Sequence, residues 1–321
     1  MATAIDIHGL TKKFMQRGEV VAVDNLTLQV EEGEIFGFLG PNGAGKTTTI
    51  KMLLGLIFPT SGSATVLGRP AGDNEMKRQI SYLPESPYFY DHLTGVELLD
   101  FYGRVFKIPK DVRKKRVDEL MELVGLKNDK LKQLKQYSKG MLQRIGIAQA
   151  LINDPRLLIF DEPTSGLDPV AHIEIRNLIV SLRDQGKTVF LSSHQLSDVE
   201  LVCSRVAILN YGRLVRTGKV TDLVQGGRTE VVAEGLSAQG VEKVRALAPD
   251  LAQQNGMVTL HKEDLDEVNH LIDVVRAEGG RVVSVVPQRR RLEDIFVETI
   301  GGLGEGRRIG SFNELSTGGG A

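Results

Sequence analysis

The chain is nearly without cysteine. Cys203, in a stretch read as helix, is the single one among 321 residues. That excludes an internal disulfide framework and a cysteine-based zinc site, and fits a reducing cytoplasm. No run reaches the roughly 18 apolar residues that span a bilayer, so a membrane function needs a span from another chain. The N-terminal stretch has no basic segment followed by an apolar run, so no secretory signal is read. Neither sign of charge dominates: 40 Lys and Arg against 41 Asp and Glu leave a net charge of −1. Nothing global therefore points to nucleic acid. Aromatic residues are only 5% of the chain. The guanine-reading sequence Asn-Lys-x-Asp is missing, which counts against a GTPase.

What is present centres on Gly40-Pro41-Asn42-Gly43-Ala44-Gly45-Lys46-Thr47. It fits G-x-x-x-x-G-K-[ST], the phosphate-binding P-loop. Its glycines allow a tight turn with successive N–H groups aimed inward at an anion. Lys46 would reach the β- and γ-phosphates, and the Thr47 hydroxyl would ligate Mg²⁺. Residues 34–39 read as a buried strand entering the loop. Thr48 to Leu54 reads as the helix leaving it, with its dipole facing the phosphates.

Before the P-loop, residues 4–10, 20–23 and 26–30 read as several short alternating strands, an antiparallel layer beside the nucleotide site. From that pattern Phe14 either stacks on adenine or packs in the core. Residues 86 to about 152 read as a helical insertion. Thr94 to Glu97 is a capping box, Pro109 opens a second helix and Gly125 stops it. This insertion holds Tyr88, Phe89, Tyr90, Phe101, Tyr102 and Phe106, and is rich in lysine and arginine. Most of these residues read as a helical core with a solvated basic face; the alternative is that the aromatic stretch after Glu85 forms a groove for a partner helix.

Ser138 is a good N-cap for the helix that follows. Leu157-Leu158-Ile159-Phe160 is a fully apolar strand ending in Asp161-Glu162-Pro163, the Walker B pattern. Asp161 lies at the strand's C-terminal end, where α/β sheets hold ligands, and would hold Mg²⁺ through water. Glu162 is expected to face the other way and to polarise the attacking water. Asp168-Pro169 supplies N-cap and N1 of the next helix. His194 directly follows the apolar strand 188–193 on the same edge of the sheet.

In this order, Gly40 to Thr48, Ser138 to Gln143, Leu157 to Pro163, Ser165 to Asp168 and His194 resemble an ATP-binding-cassette (ABC) ATPase. The resemblance covers about residues 4–225. It implies a P-loop NTPase α/β core with an antiparallel β subdomain and a helical subdomain, with ATP and Mg²⁺ as cofactors. It gives Phe14 the role of the A-loop aromatic on adenine. It puts Glu85 at the Q-loop position, which senses Mg²⁺ and links the site to a membrane partner. Ser138 to Met141 resembles the signature motif, so Ser138 and Gly140 contact the γ-phosphate of ATP on a second subunit. Asp168 falls in the D-loop, and His194 is the switch histidine. The phosphate cradle is then Gly40, Pro41, Asn42, Gly43, Ala44, Gly45, Lys46, Thr47 and Thr48; Glu162, His194 and Lys46 carry catalysis. Metal contacts fall to Thr47, Asp161 and Glu85. Two positions depart from the usual pattern. Glu85 stands where glutamine is common, and Ser138-Lys139-Gly140-Met141 replaces Ser-Gly-Gly-Gln.

Residues 1–227 are thus read as the ATPase, and 228–300 as a small α+β, ferredoxin-like domain. Residues 301–321, rich in glycine and polar residues, are read as a disordered tail. Arg291 to Phe296 resembles the C-terminal element of ATPases serving ABC-2-type exporters. The implied protein is the ATPase subunit of an exporter, a head-to-tail homodimer on the cytoplasmic face of the membrane, bound to a separate multi-span permease. The rival is a non-transport ABC ATPase acting on DNA or ribosomes. Against it stand a single cassette, no long coiled coil and the neutral net charge.

Overall fold

The computed structural model describes residues 2–15, 18–225, 227–287 and 290–301. All of the stretch expected to be a disordered tail, apart from Gly301, lies outside the described residues. Two compact units meet at Val220 and Thr221.

The first unit begins with a long hairpin, β1 (Thr3–Met15) and β2 (Glu19–Glu31). The sequence pattern suggested several short strands. The pairing instead continues through register shifts, including those flanking Leu10, with Gly9 and Asn25 at positive φ nearby. An extra residue in one strand inverts the side-chain alternation while the ladder carries on, so the period breaks where the strand does not.

The P-loop strand β3 (Ile35–Leu39) has all five residues buried and feeds α1 (Lys46–Leu53). β4 (Ser61–Val66) and β5 (Arg69–Pro70) complete an antiparallel sheet ordered β2-β1-β4-β5. A short α2 (Asn74–Lys77) precedes β6 (Ile80–Leu83).

Three helices then form the helical insertion: α3 (Gly95–Val105), α4 (Lys110–Leu123) and α5 (Lys139–Leu151). Each pair of them packs together. The Thr94 side chain accepts from the Glu97 N–H while the Glu97 carboxylate accepts from the Thr94 N–H, which closes the capping box. Asp100 on α3 binds Arg113 on α4 at 2.5 Å and Arg104 at 2.7 Å. These contacts hold its carboxyl below the usual carboxylate range, the Arg113 hydrogen bond first.

β7 (Leu157–Asp161), α6 (Pro169–Asp184), β8 (Thr188–Ser193) and α7 (Leu196–Val202) follow. Cys203 lies just past α7 with extended backbone, not inside the helix, and its burial pushes the thiol pKa up. β9 (Arg205–Asn210) and β10 (Arg213–Lys219) end the second sheet, and α8 (Val220–Leu223) follows. The sheet order is β10-β9-β3-β8-β7-β6, parallel except for β10. One hydrophobic cluster joins Ile5, Val23 and Leu28 of the hairpin to Phe36, Phe38, Ile50 and Phe190. The antiparallel layer therefore shares its core with the P-loop strand and helix. Phe36 stacks on Phe190 at 6.0 Å between ring centroids. Each such buried ring contributes on the order of 2–3 kcal/mol.

The second unit is a β-α-β-β-α-β arrangement with a closing helix. It comprises β11 (Thr229–Glu234), α9 (Ala238–Leu247), β12 (Ala252–Gln254), β13 (Met257–Lys262), α10 (Leu265–Ala277), β14 (Arg281–Pro287) and α11 (Leu292–Gly301). The antiparallel order β12-β13-β11-β14 is ferredoxin-like. Its core holds Val231, Val258, Leu260, Val268, Leu271 and Val275. Leu265, the first residue of α10, is 67% exposed, while Val268, Leu271 and Val275 of the same helix are buried. No helix among the described residues is long and apolar enough to cross a membrane.

Candidate nucleotide site

Parallel pairing brings the C-terminal ends of β7, β8 and β3 side by side. The P-loop leaves β3, Asp161 ends β7 and His194 follows β8, so all three meet at one edge, as ligand sites in such sheets do. Gly45 caps α1 with φ 99°, and a Cβ there would stand 2.4 Å from the Ala22 carbonyl oxygen. Any side chain would thus push the loop off β2. The resulting cleft of about 590 Å³ is lined by Val20 to Ala22, Pro41 to Thr48, Glu85, Glu162, Ser165 and His194.

Lys46 is buried at its mouth. Its ammonium donates to the Gly40 carbonyl at 2.7 Å and stands 3.2 Å from Glu162 Oε1. The other Glu162 oxygen is 2.7 Å from His194 Nδ1 and accepts from the His194 N–H at 3.2 Å. Thr47 Oγ1 donates to Asp161 Oδ2 at 2.9 Å, and Ser192 Oγ donates to Asp161 Oδ1 at 2.5 Å. Ser165 Oγ donates to Glu85 at 3.2 Å. Tyr82, half-buried beside this group, has its phenol pKa pushed up to about 12, by burial first and then by the charge of Asp161.

The expectation that Asp161 and Glu162 face opposite ways does not hold. The strand ends at Asp161, and Glu162 has φ 50°, outside strand geometry. Its N–H is tied to the Ser192 carbonyl and hydroxyl, both at 3.1 Å. This left-handed turn swings Glu162 back to the same edge, so Asp161 meets Thr47 while Glu162 meets Lys46 and His194. A bulky residue held at positive φ by its neighbours often marks a functional site.

Six residues picked out from the sequence are not part of the cleft lining. Gly40 and Asp161 adjoin it through Lys46 and Thr47, and the other four lie elsewhere. Phe14 is half-buried on β1 opposite Val20, with Lys12 Nζ 5.1 Å from its ring centroid. Ser138 caps α5 by accepting from Met141 N–H, and Asp168 caps α6 by accepting from Val170 and Ala171. Gly140 lets α5 lie against α6, since a Cβ there would come within 2.9 Å of Ala171 Cβ. The sequence reading passed over Ser192 and Tyr82. A serine in an otherwise apolar buried strand was the available signal for Ser192.

The family model described as ABC transporter matches residues 23–165. An uncharacterized ABC transporter ATP-binding protein from Synechocystis is 44% identical over 290 residues, covering 89% of this chain and 80% of the relative. The Nod factor export ATP-binding protein I of Cupriavidus pinatubonensis is 35% identical over 298 residues, covering 91% and 90%. Among solved structures, a dimeric ATP-binding cassette in a post-hydrolysis state bound to ADP and Pi superposes with a TM-score of 0.62 at 26% identity. It covers 67% of this chain and 98% of that one. With a relative 44% identical over 89% of the chain and the P-loop, Asp161, Glu162 and His194 assembled at one sheet edge, the chain belongs to the ABC transporter ATP-binding protein family.

Proposed function

We propose that this chain binds and hydrolyses Mg-ATP, and that it does so to drive export through a separate multi-span membrane permease. The observation that carries this reading is Glu162, held between Lys46 and His194 over the P-loop. A carboxylate fixed on both oxygens is placed to accept a proton from water attacking the γ-phosphate, with His194 orienting it and contacting that phosphate. Lys46, already aimed along the loop, would turn to the β- and γ-phosphates. The donor set also fits Mg²⁺: Thr47 and Asp161 bring hard oxygen ligands together, and Glu85 lies in the same cleft. Bound there, the ion would neutralise charge on the phosphates.

Ser138, Gly140 and Asp168 stand outside the cleft at two adjoining helix N-termini. That placement supports a head-to-tail pair of copies in which they complete the partner's site, and Phe14 closes on the adenine from β1. The dimeric neighbour supports the pairing of two copies. Export is supported by the printed function of the Cupriavidus relative. The reading places the chain on the cytoplasmic face of the membrane, with the permease as anchor and no role for nucleic acid.

The test is phosphate release from purified chain with ATP, with and without Mg²⁺, alone and with its permease in lipid vesicles. Mg-dependent release, raised by the permease and by a transported solute, is expected. Absence of release with the permease present overturns the reading.

A further inference from the structure

Three side-chain contacts join the segment after β7 to the segment after β8. Glu162 meets His194 at 2.7 Å. Thr164 Oγ1 donates to Gln195 Oε1 at 3.4 Å. His172 Nδ1 lies 3.1 Å from Asp198 Oδ2. The first belongs to the proposed chemistry, whereas neither member of the last lines the cleft, and its role is unassigned.

The pair is built to hold a position. His172 and Asp198 side chains are only 20% and 17% exposed, so solvent and salt screen them less than a surface pair. Asp198 lies in the first turn of α7, where the helix dipole favours a carboxylate. His172 lies one turn beyond Asp168, the cap of α6. Between them is Ala171, which packs against Gly140 in the first turn of α5. The first turn of α6 thus touches three things: the Asp168 loop, the helix that Ser138 caps, and, through His172, the helix that starts just after His194.

We propose that His172 and Asp198 are a positioning pair that fixes Asp168 and Ser138 relative to His194. The proposal rests on the dimeric reading given above. In that reading His194 serves the chain's own nucleotide, while Ser138 and Asp168 serve the partner's. The pair then links the two composite sites, so that occupancy of one sets the geometry of the other. Neither side chain contacts nucleotide, and the effect runs through the packing of α6 on α5 and α7.

The experiment uses the full chain with its permease and compares His172→Ala, Asp198→Ala and His172→Asn. Asparagine places Nδ2 close to where Nδ1 stands and keeps the donor. Initial rates against ATP concentration give kcat, KM and the Hill coefficient, and thermal melts are recorded beside them. Wild type is expected to show a Hill coefficient above 1. Each alanine variant should lose about threefold to thirtyfold in kcat with KM unchanged, and its Hill coefficient should fall to about 1. His172→Asn should restore both. Wild-type kcat and Hill coefficient in the alanine variants would overturn the pairing role. So would a loss that tracks melting temperature and is not rescued by asparagine. A wild type that turns over no ATP fails before any variant is compared, and overturns the functional reading and this proposal together.

Discussion

Lys46 Nζ and Glu162 Oε1 stand 3.2 Å apart, both buried and both lining the candidate nucleotide cleft. In the proposed function, the ammonium that would bind phosphate thus neutralises the carboxylate that would accept the proton. Entering phosphates would compete with Glu162 for Lys46, and the carboxylate would keep His194.

Lys46→Ala tests the first half of that relationship. It removes the main positive charge inside the glycine loop. ATP affinity should fall by about 30-fold or more, the scale for truncating one partner of a buried charge pair. The fold should survive, because the P-loop strand and helix are held by the apolar core around Phe36, Phe38 and Ile50. Titration calorimetry beside far-UV circular dichroism reads both. Equal affinity in mutant and wild type would remove Lys46 from phosphate binding.

Asp100 gives a pH-dependent term in the helical insertion. Its folded carboxyl titrates below its ordinary value of 3.8, through Arg113 first and then Arg104. A depressed carboxyl contributes stability that is fully present above the unfolded value and is lost as pH falls through the folded one. Asp100→Asn should therefore cost roughly 1–2 kcal/mol at pH 7, allowing for partial exposure. The gap between mutant and wild type should close as pH falls through the folded value, below 3.8. Urea melts at pH 7, 5 and 2.5 measure it, and a gap independent of pH over that range would refute the ionic origin.

The meeting of Gly40 to Thr47, Asp161 and His194 at one sheet edge was legible because each follows or ends a largely apolar, fully buried strand. The orientation of Glu162 was not. It depends on a positive φ held by the hydrogen bonds that the Glu162 N–H donates to Ser192 on a neighbouring strand, which no local pattern encodes. The contribution of Val20 to Ala22 to the cleft was hidden likewise, since it arises when a hairpin folds onto the loop. β9 and β10 were left unassigned. A run such as Val206 to Leu209 is too short for periodicity to separate strand from buried helix. β12 escaped because its three residues are exposed and show no alternation.

Every residue of the cleft falls within the first unit. A chain ending at Gly227 is therefore expected to bind ATP with unchanged affinity, with the ferredoxin-like unit proposed to serve contacts with the partner copy or the permease. Calorimetry on the shortened, folded protein decides the point. Loss of binding would show that the second unit completes the site.

Glu162→Gln separates binding from chemistry. Glutamine keeps the length and shape of the side chain, and its amide can still meet His194. It cannot keep the charge that faces Lys46, and it is a far weaker proton acceptor. ATP affinity should be retained or rise, because Lys46 no longer has to leave a carboxylate to reach the phosphates. Turnover should fall on the order of 10²-fold or more, the share of a positioned base. If two copies share their sites, ATP should also hold the mutant as a dimer, since hydrolysis no longer separates it. Light scattering with and without Mg-ATP, beside a phosphate-release assay, reads both effects. Wild-type turnover would exclude Glu162 as the base. Lost turnover with no dimer, even when the permease is present, would keep the base and refute the shared sites.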